Sequence, residues 1–192
     1  MPNNNEKGAD YERQVCSKLS LWVSGFTRDD LFWRSAMSGG RANVPSRKKR
    51  GYRFDAQVGD IVAVQTEGYA LVSKFCIECK AYRDMFLQLP IFGSRGNFVP
   101  IWEKLLEESD QSEKLPLLIF RQNRQPEIVV TTPAGLTALD PQRALQVRAT
   151  YDPFNAKFLL FRDLLSTDFA PILASWNQAK KVPTQRLRLS DS

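Results

Sequence analysis

The sequence predicts an α/β fold, with a central mixed β-sheet flanked by helices. An N-terminal stretch spaces its apolar residues for a helix, and short apolar or β-branched runs bounded by turn signals follow. These patterns recur in the order helix, strands, helix, strands, helix, which is a layered α/β arrangement. At 192 residues, with 43% hydrophobic and 25% charged residues, the chain has room for one domain with a core that needs no staples. A single domain over 1–178 is expected, with a basic loop at 39–57 and a frayed polar tail at 179–192.

The first helix is read over Lys7–Ser24, with Val15, Cys16, Leu19 and Val23 on one stripe. Leu31–Ser38 reads as a short strand entering a Gly-rich basic segment. Asp60–Gln65 and Ala70–Lys80 read as strands joined by a turn at Thr66–Tyr69, which predicts an antiparallel hairpin. Arg83–Pro100, with Pro90, Gly93, Gly96 and Pro100, reads as an irregular connection. A helix at Ile101–Glu108 follows. Leu115–Phe120 and Glu127–Thr132 form two strands around the polar turn Arg121–Pro126, and Lys157–Phe161 a further strand before a helix at Phe169–Lys180. Trp22, Trp33 and Trp102 are expected in the core.

Composition narrows the chemistry. The chain has no histidine, which removes Ser-His-Asp and Cys-His catalysis, Cys2His2 fingers and His-ligated metals. Hydrolysis must then run on carboxylates, lysine and a hard, oxygen-bound cation such as Mg2+. Three cysteines make no disulfide framework, and Cys76 and Cys79 alternate to opposite faces of their strand, so they make no metal pair. The polar Met1–Lys7 is no signal peptide, and the longest apolar run, Leu115–Phe120, is far too short to span a bilayer. A reduced, cytoplasmic protein without membrane partners is expected.

Net charge is +6, and Gly39–Arg53 alone carries Arg41, Arg47, Lys48, Lys49, Arg50 and Arg53 without an acid. The rest of the chain is near neutral. Such a segment is either a solvated loop or a surface that tracks phosphates. Tyr52 and Tyr82 lie beside arginines and are candidates for stacking on unpaired bases.

Alternation along Ala70–Lys80 puts Lys74, Cys76, Glu78 and Lys80 on one face, and Phe75, Ile77 and Cys79 on the other. In a hairpin, Asp60 at the start of one strand meets Glu78 and Lys80 at the end of the next. Glu12 lies on the apolar stripe of the first helix, where an unpaired charge costs several kcal/mol. Lys80 is its expected partner. Two carboxylates about 4 Å apart repel by about 4 kcal/mol at an effective dielectric near 20, so the cluster calls for a divalent cation.

The segments KGADYERQVCSKL (Lys7–Leu19), FWRSAMSGG (Phe32–Gly40), GDIVAV (Gly59–Val64) and FCIECK (Phe75–Lys80) resemble the PD-(D/E)XK nuclease superfamily, most closely its archaeal-type and phage Holliday junction resolvases. The resemblance implies a restriction-endonuclease-like core and a Mg2+-dependent DNA endonuclease, with Mn2+ as a possible substitute. It implies branched four-way-junction DNA as substrate, a homodimer making paired cuts, and an intracellular, phage-encoded setting in recombination or repair. Asp60, Glu78 and the Cys79 carbonyl would then hold the metal, and Lys80 would position or help deprotonate the attacking water. Glu12 would orient Lys80 or bind metal through water. Ser38 would lie near the scissile phosphate, with Ser35 as the open alternative, and Arg34 and Arg41 would contact the DNA backbone. A restriction- or repair-type nuclease acting on duplex DNA is the competing enzyme reading. A DNA-binding protein that lost catalysis is the third.

Overall fold

The computed structural model describes residues 4–35, 58–82 and 98–179. Helix α1 (Asn4–Val23) leads to a short strand β1 (Phe32–Arg34), which pairs antiparallel with β2 (Ile61–Ala63). A 3-10 turn (Thr66–Gly68) and helix α2 (Tyr69–Lys74) then deliver the chain to β3 (Phe75–Tyr82). Helix α3 (Phe98–Gln111) precedes β4 (Leu115–Gln122) and β5 (Ile128–Thr131). Helix α4 (Pro133–Leu139), strands β6 (Ala149–Tyr151) and β7 (Ala156–Leu160), and helices α5 (Phe161–Leu165) and α6 (Phe169–Ala179) complete the fold.

The main sheet has strand order β3-β4-β5-β7-β6. Strands β3 and β4 run parallel, and the remaining neighbours are antiparallel. Period-2 alternation gives the sheet two apolar faces. Phe75, Ile77, Cys79, Leu117, Ile119, Val129 and Leu159 face a core shared with Tyr11, Val15, Cys16, Leu19 and Trp22 of α1 and with Phe169, Ile172 and Trp176 of α6. Cys76, Leu118, Phe120, Val130 and Phe158 pack on Phe98, Trp102 and Leu105 of α3. The result is a mixed sheet between helical layers, as the sequence predicts.

The expected hairpin is not formed. Ala70–Lys74 belongs to α2 rather than to a strand, and β2 pairs with β1 instead of β3. A five-residue run that opens with three adjacent apolar residues fits either period. Here the helix wins because it buries Leu71 and Val72 while Gly68 seats beneath the Phe32 ring. Lys74 therefore ends a helix and does not share a strand face with Glu78.

β2 meets β3 differently. Gly59 makes a parallel bridge to Ile77, and the Asp60 N–H donates to the Ile77 carbonyl at 2.7 Å. Gly59 has φ +91°, and a Cβ there would stand 2.5 Å from the Ile77 carbonyl oxygen. Only glycine permits this crossing. The β1–β2 ribbon thus leans against the outer edge of β3, and the Ser35 N–H continues its ladder by donating to the Asp60 carbonyl at 2.7 Å.

Other expectations shift modestly. The strand predicted over Leu31–Ser38 is confined to Phe32–Arg34 among the described residues. Phe98–Pro100, expected in an irregular connection, opens α3; Pro100 sits in its first turn, where a missing N–H costs nothing. Trp22 and Trp102 are core residues, whereas Trp33 is 55% exposed, because alternation on β1 turns it away from buried Phe32. Among the described residues, no helix is long and apolar enough to cross a membrane.

Candidate active site

The crossing at Gly59 decides where Asp60 goes. With its own N–H fixed to Ile77, Asp60 directs its carboxylate along the edge of β3, where Oδ2 accepts the Cys79 N–H at 2.8 Å. An extended residue sends its N–H and C=O to the same side, so the Cys79 carbonyl leaves β3 on this edge too. Glu78 and Lys80 follow at alternate positions. Asp60, Glu78 and Lys80 do converge, through a parallel crossing instead of a hairpin.

Asp60 and Glu78 are both buried. The Lys80 ammonium reaches both, pairing with Glu78 Oε1 and lying 3.6 Å from Asp60 Oδ2. Burial pushes the Asp60 carboxyl up to about 7, helped by the charge of Glu78 and opposed by Lys80 and the Cys79 N–H. Burial works to depress the Lys80 ammonium as well, but the two carboxylates outweigh it and hold the group above its ordinary range. Lys80 is therefore a cation and a hydrogen-bond donor as the chain stands.

This donor set fits a hard divalent cation. Two buried carboxylates share one ammonium, and the Asp60 carboxyl, raised by burial and by Glu78, is the group that a bound cation would return to its ionised form. Among the described residues, no three His, Cys, Asp or Glu side chains gather closely enough to form a metal cage. A Mg2+ held here would complete its shell with the Cys79 carbonyl and water, consistent with the reluctance of that ion to dehydrate.

Glu12 stands apart from the expected pairing with Lys80. Its Oε2 accepts from Arg34 Nε at 2.8 Å, across from α1 to β1. The reason is topological: Arg34 lies opposite Ile61 on the ribbon, on the face that β1 turns toward α1 together with buried Phe32, while Lys80 is engaged by Glu78 and Asp60. Glu12 still contributes to the field at Asp60. Ser35 is buried and joined through its backbone to Asp60. Ser38, Arg41, Arg47, Lys48, Lys49, Arg50, Tyr52 and Arg53 lie outside the described residues. The anchoring of Asp60 by Gly59 was missed in the sequence, although a Gly-Asp pair opening a strand was its visible signal.

Cys76 and Cys79 point to opposite cores, so their spacing makes no metal pair. Cys16 and Cys76 are pushed up to about 12 by burial and take no part as thiolates.

No curated protein and no solved structure matches the chain. One family model does, described as "Phage putative PDDEXK endonuclease", and it covers residues 3–180. A match of that extent, over a sheet edge that gathers Asp60, Glu78 and Lys80, makes the chain a member of the phage PDDEXK endonuclease family.

Proposed function

We propose that the protein hydrolyses DNA phosphodiester bonds at the Asp60–Glu78–Lys80 cluster, that the reaction depends on Mg2+, and that its substrate is branched DNA of the four-way-junction type. The single observation that carries the chemical part is the meeting of two buried carboxylates and one ammonium on the open edge of β3. Mg2+, with Mn2+ as substitute, would supply Lewis-acid stabilisation and a more acidic bound water. Asp60 and Glu78 would hold it with the Cys79 carbonyl.

The chain's own groups have separable tasks. The Cys79 N–H fixes the rotamer of Asp60, so the carboxylate is positioned before a cation arrives. Lys80, kept cationic by its two neighbours, orients water and donates to the anionic phosphorane; its charge argues against its acting as the base. Arg34 spends its Nε on Glu12, which leaves the terminal amino groups for a phosphate oxygen. Ser38 and the basic segment with Arg41, Arg47, Lys48, Lys49, Arg50 and Arg53 are assigned to phosphate contacts along the DNA backbone.

Junction specificity rests on the likeness of the four N-terminal segments to resolvases, and a homodimer follows from it because symmetric cuts need two sites. The test uses labelled four-way junction, linear duplex and flap DNA, each with Mg2+ and with chelator. Paired Mg2+-dependent nicks in the junction are expected. Equal cutting of linear duplex would replace junction specificity with restriction- or repair-type action, and no cutting of any DNA would defeat the proposal.

A further inference from the structure

The β1–β2 ribbon has a face that runs from the candidate site to open solvent. Ser35 and Asp60 stand opposite each other at its inner end, both buried; Trp33 and Val62 stand opposite each other at the next same-face position. Along a strand, two residues span about 6.6 Å, so the Trp33–Val62 pair sits roughly that far from Asp60. Cross-strand partners hold their Cβ atoms about 5 Å apart, which ties the indole to this position. Trp33 is 55% exposed, while Trp22, Trp102 and Trp176 are all buried. Val64, two positions beyond Val62, is also exposed and extends the apolar face. An indole presented to water on this ribbon gains nothing for the core.

We propose that Trp33 is a stacking platform for an unpaired base of the DNA strand whose phosphate lies at Asp60. This rests on the reading of the site as a DNA nuclease. A strand whose stacking is broken extends beyond the about 3.4 Å per nucleotide of duplex, so a phosphate beside Asp60 leaves a neighbouring base within reach of an indole about 6.6 Å away. Stacking on an aromatic face is tolerant of sequence and demands that the base be unstacked, which paired duplex does not offer. A branch point or a single strand does. Trp33 would thus bias the enzyme toward DNA with unpaired bases near the cut.

The experiment uses the full chain in Ca2+ in place of Mg2+, so that binding is read apart from cleavage. Acrylamide quenching isolates Trp33, since the other three tryptophans are buried. Single-stranded and four-way-junction oligonucleotides should shield the quenchable emission, and a fully paired duplex should leave it accessible. Trp33→Ala should weaken binding to single-stranded and junction DNA by about 5- to 150-fold with duplex affinity unchanged, and Trp33→Phe should restore most of the loss. Thermal melts of both variants establish that they fold. An unshielded Trp33 in a protein that binds and, with Mg2+, cuts DNA would overturn the stacking proposal and leave the nuclease reading intact. Shielding that rises with protein concentration without DNA would assign the face to a second copy of the chain and overturn it too. Absence of both binding and cutting would mark failure of the nuclease reading itself.

Discussion

Gly59→Ala tests how the fold places its acid. The new methyl would stand 2.5 Å from the Ile77 carbonyl oxygen and 2.9 Å from its nitrogen, and must retreat about 0.5 Å to reach even the shortest contacts that side chains make. The backbone at φ +91° is one that an L-residue adopts at a cost of about 1–3 kcal/mol. Retreat also stretches the Asp60 N–H bond to Ile77 and the Cys79 N–H bond to the Asp60 carboxylate, together worth about 1–2 kcal/mol net. A loss of about 2–5 kcal/mol is expected, which lowers the melting temperature by roughly 4–20 °C for a chain of this size. Displacing Asp60 by a fraction of an ångström should also cost up to about 100-fold in turnover. Urea titration and single-turnover nicking measure the two effects. A Gly59→Ala protein with wild-type stability and wild-type rate would refute the argument that this crossing sets the site.

Three further expectations follow from the same geometry. Glu12→Gln and Arg34→Ala should each weaken DNA binding in Ca2+, and the double variant should be no worse than the poorer single one; a double-mutant cycle with coupling below about 0.5 kcal/mol would separate the two residues. Lys80→Ala should lower kcat far more than it raises KM, and equal losses in both would assign Lys80 to binding. The thiols of Cys16 and Cys76 should resist alkylation at pH 8 without denaturant and react in urea. Because burial raises these thiols from about 9 to about 12 in the folded chain, their contribution to stability is complete below pH 9 and is lost as pH rises toward 12. Rapid native alkylation would contradict the packing of both faces of β3.

The sequence displayed what depends on strong periodicity or on a polar turn. The α1 stripe of Val15, Cys16, Leu19 and Val23 repeats with the helical period, and the polar run Arg121–Pro126 separates β4 from β5 as a turn. Asp60, Glu78 and Lys80 were legible as a group because acid, acid and lysine sit at positions that a sheet edge can gather. Their route to that edge was not legible. Ala70–Lys74 satisfies either a strand or a helix, and only the seat of Gly68 under Phe32 and the burial of Leu71 and Val72 select the helix. The partner of Glu12 depended on where β1 lies relative to α1, a long-range placement that no local pattern encodes. Trp33 was assigned to the core from residue type, although its neighbour Phe32 already fills that side of a three-residue strand. Helix α4, strand β6 and helix α5 went unread because each is seven residues or shorter, with too few turns or alternations to show a period.

The central claim is that Asp60 and Glu78 form the metal-dependent centre of a nuclease. The most direct measurement compares Asp60→Asn and Glu78→Ala with the unaltered chain, scoring nicking of a labelled four-way junction in Mg2+ and binding of the same DNA in Ca2+. Nicking should vanish in both variants while binding is largely retained. Full residual nicking by either variant would contradict the claim.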